Sequence, residues 1–319
     1  FRRRSVSEGK EGMRLSMNIG IDIGGSHIGV GLVGSSGKII NKKEVDITEK
    51  DKKNIEKMII NTITNFIKVI LKEQGIETKE LGYIGIASPG TIENNCIYNV
   101  VNLGVEKLDI AKILNKEFGL EVKIKNDAKC AGIAESMYGS TKPAQDNIYL
   151  CLGTGIGGAA FINNKLVEPR YKSGMEFGHM IIQKDGRECK CGSKGCFETY
   201  CSMKVLKREI SETLELNENE TGANIVNEIR KHIDDLRIKP LIEEYVQYLA
   251  IGIANLINIF EPEIICIGGS FVYIGDLIIP RLKKAIQEKG LLFNSRKEIN
   301  IVLASLGNDA GIIGAASLL

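Results

Sequence analysis

The sequence predicts an α/β fold made of two similar halves, and three observations carry that prediction. First, one pattern occurs twice: "NIGIDIGGSHIGVGLVGSSGKII" (18–40) and "NIYLCLGTGIGGAAFINNKLV" (147–167) each read as strand, glycine turn, strand, polar turn, strand. Apolar runs broken by glycine suit buried strands joined by tight turns, and the same order of turns used twice points to a duplicated β-hairpin start. Second, the period changes after the first hairpin. Ile55, Met58, Ile59, Ile63, Phe66, Ile67 and Ile70 fall on one helical face across 54–71, with Gly75 as a stop. Third, "LEVKIK" (120–125) alternates as a strand should and delivers Asn126-Asp127 at its carboxyl end. Open α/β sheets place their chemistry there.

The remaining elements follow in order. "YIGIASPG" (83–90) is a strand that breaks at Pro89-Gly90, a helix near 108–118 ends before Gly119, and another helix begins at Ala128. Beyond the second hairpin, helices are expected over 202–216, 223–235 and 239–260, the last punctuated by Pro262. "EIICIGGS" (263–270) is a strand with a glycine exit, and "INIVLAS" (299–305) is another. Asp309 is placed to cap a closing helix, "AGIIGAASLL", whose small residues permit close packing. The division expected is a tail over 1–17, an N-terminal α/β domain over 18–127 and a C-terminal α/β domain over 128–308.

Composition narrows the class. A chain of 319 residues, 43% hydrophobic and 26% charged, has the make-up of a globular protein long enough for two cores. Net charge is +2, and the tail alone carries Arg2, Arg3, Arg4, Lys10 and Arg14 against Glu8 and Glu11. That surplus of three leaves about −1 for the rest, so the folded body has no field for nucleic acid. The tail itself reads as a disordered extension or expression remnant, with Met13 or Met17 as the start. The most apolar stretch, "YLAIGIANLINIF" (248–260), falls short of the ~18 residues a membrane span needs and contains Asn255 and Asn258. With no secretory signal either, a cytoplasmic location is expected. Cysteines there stay reduced or bind metal; Cys96, Cys130, Cys151 and Cys266 read as core.

Another stretch stands apart. "GMEFGHMIIQKDGRECKCGSKGCFETYC" (174–201) gathers one of three histidines and four of eight cysteines. A metal site, a disulfide loop and a chance cluster are the alternatives. His179 with the C-x-C-x₄-C of Cys189, Cys191 and Cys196 offers one nitrogen and three sulfurs, a full tetrahedral shell for a structural zinc. Gly192 and Gly195 allow the chain to close around it, and Cys201 lies outside the pattern as packing.

The glycine turns raise a different question. Gly24-Gly25-Ser26 and Gly153-Thr154-Gly155-Ile156-Gly157-Gly158 could each present backbone N–H groups and a hydroxyl to anionic oxygens. Asp22 precedes the first turn, where a carboxylate could hold magnesium through water. No P-loop is present, since "GSSGKI" lacks the earlier glycine and ends in Ile39. Gly153, Gly155 and Gly158 match G-x-G-x-x-G, but the segment continues as a strand, which disfavours a dinucleotide-binding oxidoreductase.

Taken together, "DIGGSHIGVGL", "ASPG", "KNDA", "LGTGIGG", "EFGHM" followed by "CKCGSKGCFE", and the late "IGGS" resemble the ROK family of sugar kinases and repressors from Met17 to Leu319. The resemblance implies the two-domain actin-like ATPase (ribonuclease H-like) fold, with ATP and sugar in the cleft and the closing helix (309–319) packed on the first domain. Asp127 is then the catalytic base, and Gly90, Asn102, Asn126, Glu176, His179 and Glu198 are sugar contacts. Asp22, Gly24, Gly25, Ser26, Thr154, Gly155, Gly157 and Gly158 belong to the phosphate side, and Gly268, Gly269 and Ser270 to the adenosine side. Two departures are small: Ser26 replaces a common threonine, and Ala159 stands where a third glycine often follows.

On this reading the zinc loop (179–196) has a purpose, because fixing it fixes Glu176 and Glu198 on either side. Carboxylates bind hydroxyls through charge-assisted bonds. With one ring nitrogen of His179 on zinc, the other N–H is free for a hydroxyl. The expected activity is ATP- and Mg²⁺-dependent phosphorylation of a primary sugar hydroxyl, with glucose first and N-acetylmannosamine, N-acetylglucosamine or fructose as alternatives. The resemblance also implies a homodimer or homotetramer, with neither nucleic acid nor membrane as partner. A sugar-responsive regulator without its DNA-binding domain is the rival class, since about seventeen residues precede Asn18 and they carry no helix-turn-helix pattern.

Overall fold

The structure, a computed structural model, describes residues 17–48, 51–100, 103–170, 174–217, 220–289 and 300–318. The tail before Met17, and Asn102 among the expected sugar contacts, lie outside the described residues.

The chain opens with β1 (Met17–Ile23), β2 (His27–Val33) and β3 (Ile39–Asp46), then α1 (Ile55–Gln74) and β4 (Leu81–Ser88). Three short strands follow, β5 (Thr91–Glu93), β6 (Cys96–Val100) and β7 (Val105–Leu108), and then α2 (Ile110–Phe118) and β8 (Val122–Asn126). Helix α3 (Asp127–Tyr138) leads into the second half: β9 (Asn147–Leu152), β10 (Ile156–Ile162) and β11 (Lys165–Leu166). Next come α4 (Glu198–Cys201), α5 (Met203–Thr213), α6 (Gly222–His232) and α7 (Lys239–Phe260). The last elements are β12 (Ile264–Gly268), α8 (Gly275–Glu288), β13 (Asn300–Leu303) and α9 (Ala310–Ala315).

Two five-stranded sheets share one topology, β3-β2-β1-β4-β8 and β11-β10-β9-β12-β13. In each, an antiparallel hairpin precedes two strands that join in parallel. Ile19, Ile21 and Ile84 are fully buried, as strands covered on both faces require. Helix α1 covers the first sheet with Ile59, Ile63, Ile67 and Ile70, and ends at Gly75 in the left-handed region (φ +64). A second core gathers Leu150, Phe197, Ile253 and Phe271 around the second sheet.

Helix α9 lies on the first sheet, and glycine makes the approach possible. A Cβ on Gly20 of β1 would stand 2.0 Å from the Ile312 carbonyl oxygen, and one on Gly85 of β4 would stand 1.7 Å from that of Ala315. The Asn18 side chain donates to the Ala316 carbonyl at 2.8 Å. On its other side α9 meets α3, where a Cβ on Gly314 would fall 1.8 Å from the Cys130 carbonyl oxygen.

Several expectations are revised. Asp309 occupies the N-cap position of α9 but its side chain makes no cap bond; its carboxylate accepts from Lys42 Nζ at 2.7 Å instead, and α9 is only six residues long. Helix α8 was absent from the sequence reading, because Gly275 at its start and Pro280 within it hide the buried face of Ile278, Leu282 and Ile286. The small β5–β7 sheet was also missed, although Asn94 and Asn95 (φ +46 and +60) mark its first turn. Cys151 is only partly buried, whereas Cys96, Cys130 and Cys266 are core. Among the described residues no helix is long and apolar enough to cross a membrane.

Candidate active site and metal centre

The site is assembled around the start of α3. Asn126 is the helix N-cap, its side-chain oxygen accepting from the Lys129 amide at 3.2 Å, so the cap falls one residue before Asp127. Asp127 opens the first turn, its Oδ1 accepting from the Ala128 amide at 2.8 Å. Burial pushes the Asp127 carboxyl above its ordinary range. The Ala128 amide opposes that rise, and the charges of Asp22 and Glu176 add to it. Ser88 pairs with Asn126 across β4 and β8, which brings the turn at Gly90 (φ +89) beside the same point.

The second glycine turn touches everything around it. A Cβ on Gly157 would stand 2.7 Å from that of Ala128, and one on Gly155 would stand 2.7 Å from Glu198 Oε2. One on Gly158 would meet the Phe177 ring at 2.7 Å, and one on Gly178 the Ile156 carbonyl at 2.3 Å. The start of α3, Glu198 and the short turn Phe177–His179 therefore converge on residues 153–158, where Thr154 is exposed. Beyond β12, Gly269 (φ +71) packs against Leu152, placing Gly268–Ser270 next to that turn.

At the first turn Gly25 and Ser26 are exposed. His27, which the sequence reading passed over, lays its ring over Gly24 and brings Nε2 to 3.7 Å from Asp22 Oδ2. Its pKa is raised, chiefly by that carboxylate.

The cysteine loop forms one cluster. The ligand atoms of His179, Cys189, Cys191 and Cys196 all lie within 4.8 Å of one another. Cys189 Sγ is 3.6 Å from His179 Nδ1, and Cys191 Sγ is 3.6 Å from Cys196 Sγ. Metal–ligand bonds of ~2.3 Å to sulfur and ~2.0 Å to nitrogen give tetrahedral edges of about 3.6–3.8 Å, which those two separations match, and one nitrogen with three sulfurs suits zinc chemically. Glu198 Oε1 lies 3.2 Å from Cys189 Sγ. The loop is also held from outside. The Arg187 guanidinium stacks on Tyr200, donates to the Thr199 carbonyl at 3.0 Å and pairs with Glu209 at 2.8 Å.

A further group, unmarked in the sequence, is Lys129. It is 6% exposed, and its ammonium donates to the Gly174 carbonyl at 3.3 Å. A lysine two residues after the site aspartate gives no sign of burial in sequence alone. Two surface hollows, of about 360 and 520 Å³, are lined by Leu216–Lys231 and by Asn94–Val122 residues and include none of the candidate site.

Paired sheets of one topology, each opened by a glycine-turned hairpin, are the architecture of the actin-like ATPases. The comparisons agree. The ROK family profile matches residues 18–319. The chain is 30% identical over 315 residues to a glucokinase of Thermotoga maritima, covering 94% of this chain and 96% of that one. A crystal structure of a ROK family glucokinase from Streptomyces griseus, in complex with glucose and AMPPNP, superposes with a TM-score of 0.77 at 26% identity, covering 95% and 98% of the two chains. A xylose repressor of Bacillus spizizenii is 27% identical, over 94% of this chain and 76% of its own length. The chain belongs to the ROK family.

Proposed function

We propose that this protein is an ATP-dependent sugar kinase that transfers the γ-phosphate to the primary hydroxyl of a hexose, with glucose as the preferred acceptor. One observation carries the reading: a half-buried carboxylate of raised pKa, Asp127, opens α3 where the 153–158 turn meets Ala128 and Glu198 and within reach of the Glu176 charge. The similarity to glucokinases supports the same conclusion.

Phosphoryl transfer asks for positioning and charge stabilisation more than for covalent chemistry. Glu176, Glu198 and His179 Nε2 would accept and donate to sugar hydroxyls, holding the ring with its primary hydroxyl toward Asp127. Asp127 would take the proton as that oxygen attacks, and its raised pKa makes it a better base than a solvated aspartate. The amides at Gly24–Ser26 and Gly153–Gly158 would receive the phosphate oxygens, with Gly268–Ser270 on the nucleoside side. Asp22, beside the first turn with its side chain 15% exposed, is the residue to hold magnesium. The metal would supply counter-charge for the phosphates. Zinc on His179 Nδ1 and the three cysteines would order the loop that carries both glutamates. Closure of the 18–127 and 128–308 halves would exclude water as a competing acceptor.

The test is ADP release on a panel of hexoses and N-acetylhexosamines with MgATP. Turnover highest on glucose supports the proposal, highest turnover on an N-acetylated sugar moves the substrate, and no turnover on any sugar overturns the kinase. In that last case the similarity to xylose repressors favours a sugar-responsive regulator.

A further inference from the structure

Lys129 is a buried cation that the mechanism above does not use. It lies on α3 two residues after Asp127, and among the described residues its ammonium makes one hydrogen bond, to the carbonyl of Gly174. An apolar side chain would fill the same space without the cost of burying an ammonium, so the charge must be answered by something nearby. The charged groups around it are Glu176, Lys125 and Glu168, the last two paired with each other. Burial weakens the hold of Lys129 on its proton, and the Glu176 carboxylate is the leading influence restoring it.

A second observation comes from the backbone that Lys129 holds. Met175, between Gly174 and Glu176, is in the left-handed region at φ +67. A non-glycine residue persists there when its surroundings over-determine it, and such strain gathers at ligand clamps. On one side the Gly174 carbonyl is tied to Lys129; on the other the Glu176 carbonyl accepts from the His179 amide at 3.0 Å. The direction in which Glu176 leaves the chain follows from this turn.

We propose that Lys129 is a positioning residue that aims Glu176 at the acceptor sugar by clamping the strained Met175 turn through the Gly174 carbonyl. The inference rests on the sugar-kinase reading and deepens it. Lys129 touches neither sugar nor nucleotide; it sets the orientation and the charge balance of a carboxylate that does.

The test uses the zinc-loaded full chain with MgATP and two probes, D-glucose and N-acetyl-D-mannosamine. Lys129→Met keeps the aliphatic stem and removes the ammonium, and Lys129→Gln keeps a donor without charge. Lys129→Met should raise the sugar KM about tenfold while the ATP KM and zinc content stay as in the parent, with Lys129→Gln between the two. Met175→Gly, which accepts φ +67 freely, should restore part of the loss in the double variant. A purely structural lysine would shift both KM values together and gain nothing from the glycine. A sugar KM within about twofold of the parent in both lysine variants, or a double variant no better than Lys129→Met, overturns the proposal. If the parent phosphorylates neither probe, the wider sugar panel decides the kinase reading and D-glucose binding by calorimetry decides this one. Weaker binding by Lys129→Met sustains it; equal binding, or a parent that binds none, sinks it.

Discussion

Each end of α3 carries a carboxylate at least half withdrawn from water, and the two are treated in opposite ways. At the C-terminal end Glu135 is fully buried, and its oxygens accept from the amides of Ser140, Ser305 and Leu306 at 2.7–2.8 Å and from the Ser305 hydroxyl at 3.2 Å. Those bonds fasten α3 to the exit of β13, just before the turn into α9. At the N-terminal end Asp127 has only the Ala128 amide and its own to favour its charge, against burial and the charges of Asp22 and Glu176. A carboxylate whose lone pairs are filled by backbone is part of the scaffold. One left short of donors is free to take a proton from something else. The same side-chain chemistry thus serves structure at one end of a helix and is left available for reaction at the other, according to how many N–H groups reach it.

The comparison can be broken most decisively at Asp127. Asp127→Asn should lower kcat by about 10²–10⁴-fold while sugar binding by calorimetry is largely kept; a variant with near-parental turnover removes Asp127 from the base role. At the other end, Glu135→Ala should leave the amides of Ser140, Ser305 and Leu306 without this acceptor and open a hole at a fully buried position, destabilising the fold by about 3 kcal/mol in urea unfolding. Folded Glu135→Ala protein at low temperature should retain the parental ATP KM, which separates the scaffold role from the chemical one. Metal removal sharpens the contrast further, because on the proposed reading the metal orders the loop that carries Glu198. Chelation with 1,10-phenanthroline should release about one zinc per chain and raise the sugar KM on the order of 10- to 100-fold.

The smallest effect is in pH dependence. As the proposed base Asp127 must be ionised to act, and its pKa is raised, so the acidic limb of kcat/KM should lie above the ordinary aspartate value of 3.8. For stability the sign is the reverse. A group whose folded pKa exceeds its unfolded one adds stability below the unfolded pKa and loses it as pH rises through the folded pKa. Asp127→Asn should therefore match the parent in Tm at low pH and exceed it at neutral pH; a lower Tm at neutral pH would show that burial does not penalise this carboxylate.

Much of the site was legible because it is written in local chemistry. Glycine turns, a C-x-C-x₄-C run with a histidine upstream, and an Asn-Asp pair ending a strand each announce a backbone or donor requirement within a few residues. His27, Lys129 and Glu135 were not legible. A histidine in a strand, a lysine in the first turn of a helix and a glutamate in its last turn are ordinary surface residues until something is packed over them. For Lys129 that something is the Gly174 loop, 45 residues away; for Glu135 it is the Ser305–Leu306 turn, 170 residues away. The absent α8 has the opposite cause, since Gly275 and Pro280 are local breakers that packing overrode.

What the sequence determined alone was the repeated hairpin, the histidine–cysteine cluster and the glycine turns of the candidate site, because periodicity, turn geometry and ligand spacing act over short stretches of chain. What the tertiary structure decided was which of the acids and bases are withdrawn from water and which find partners there. That depends on segments far apart in the chain meeting in space, and desolvation, unlike a turn, has no local signature.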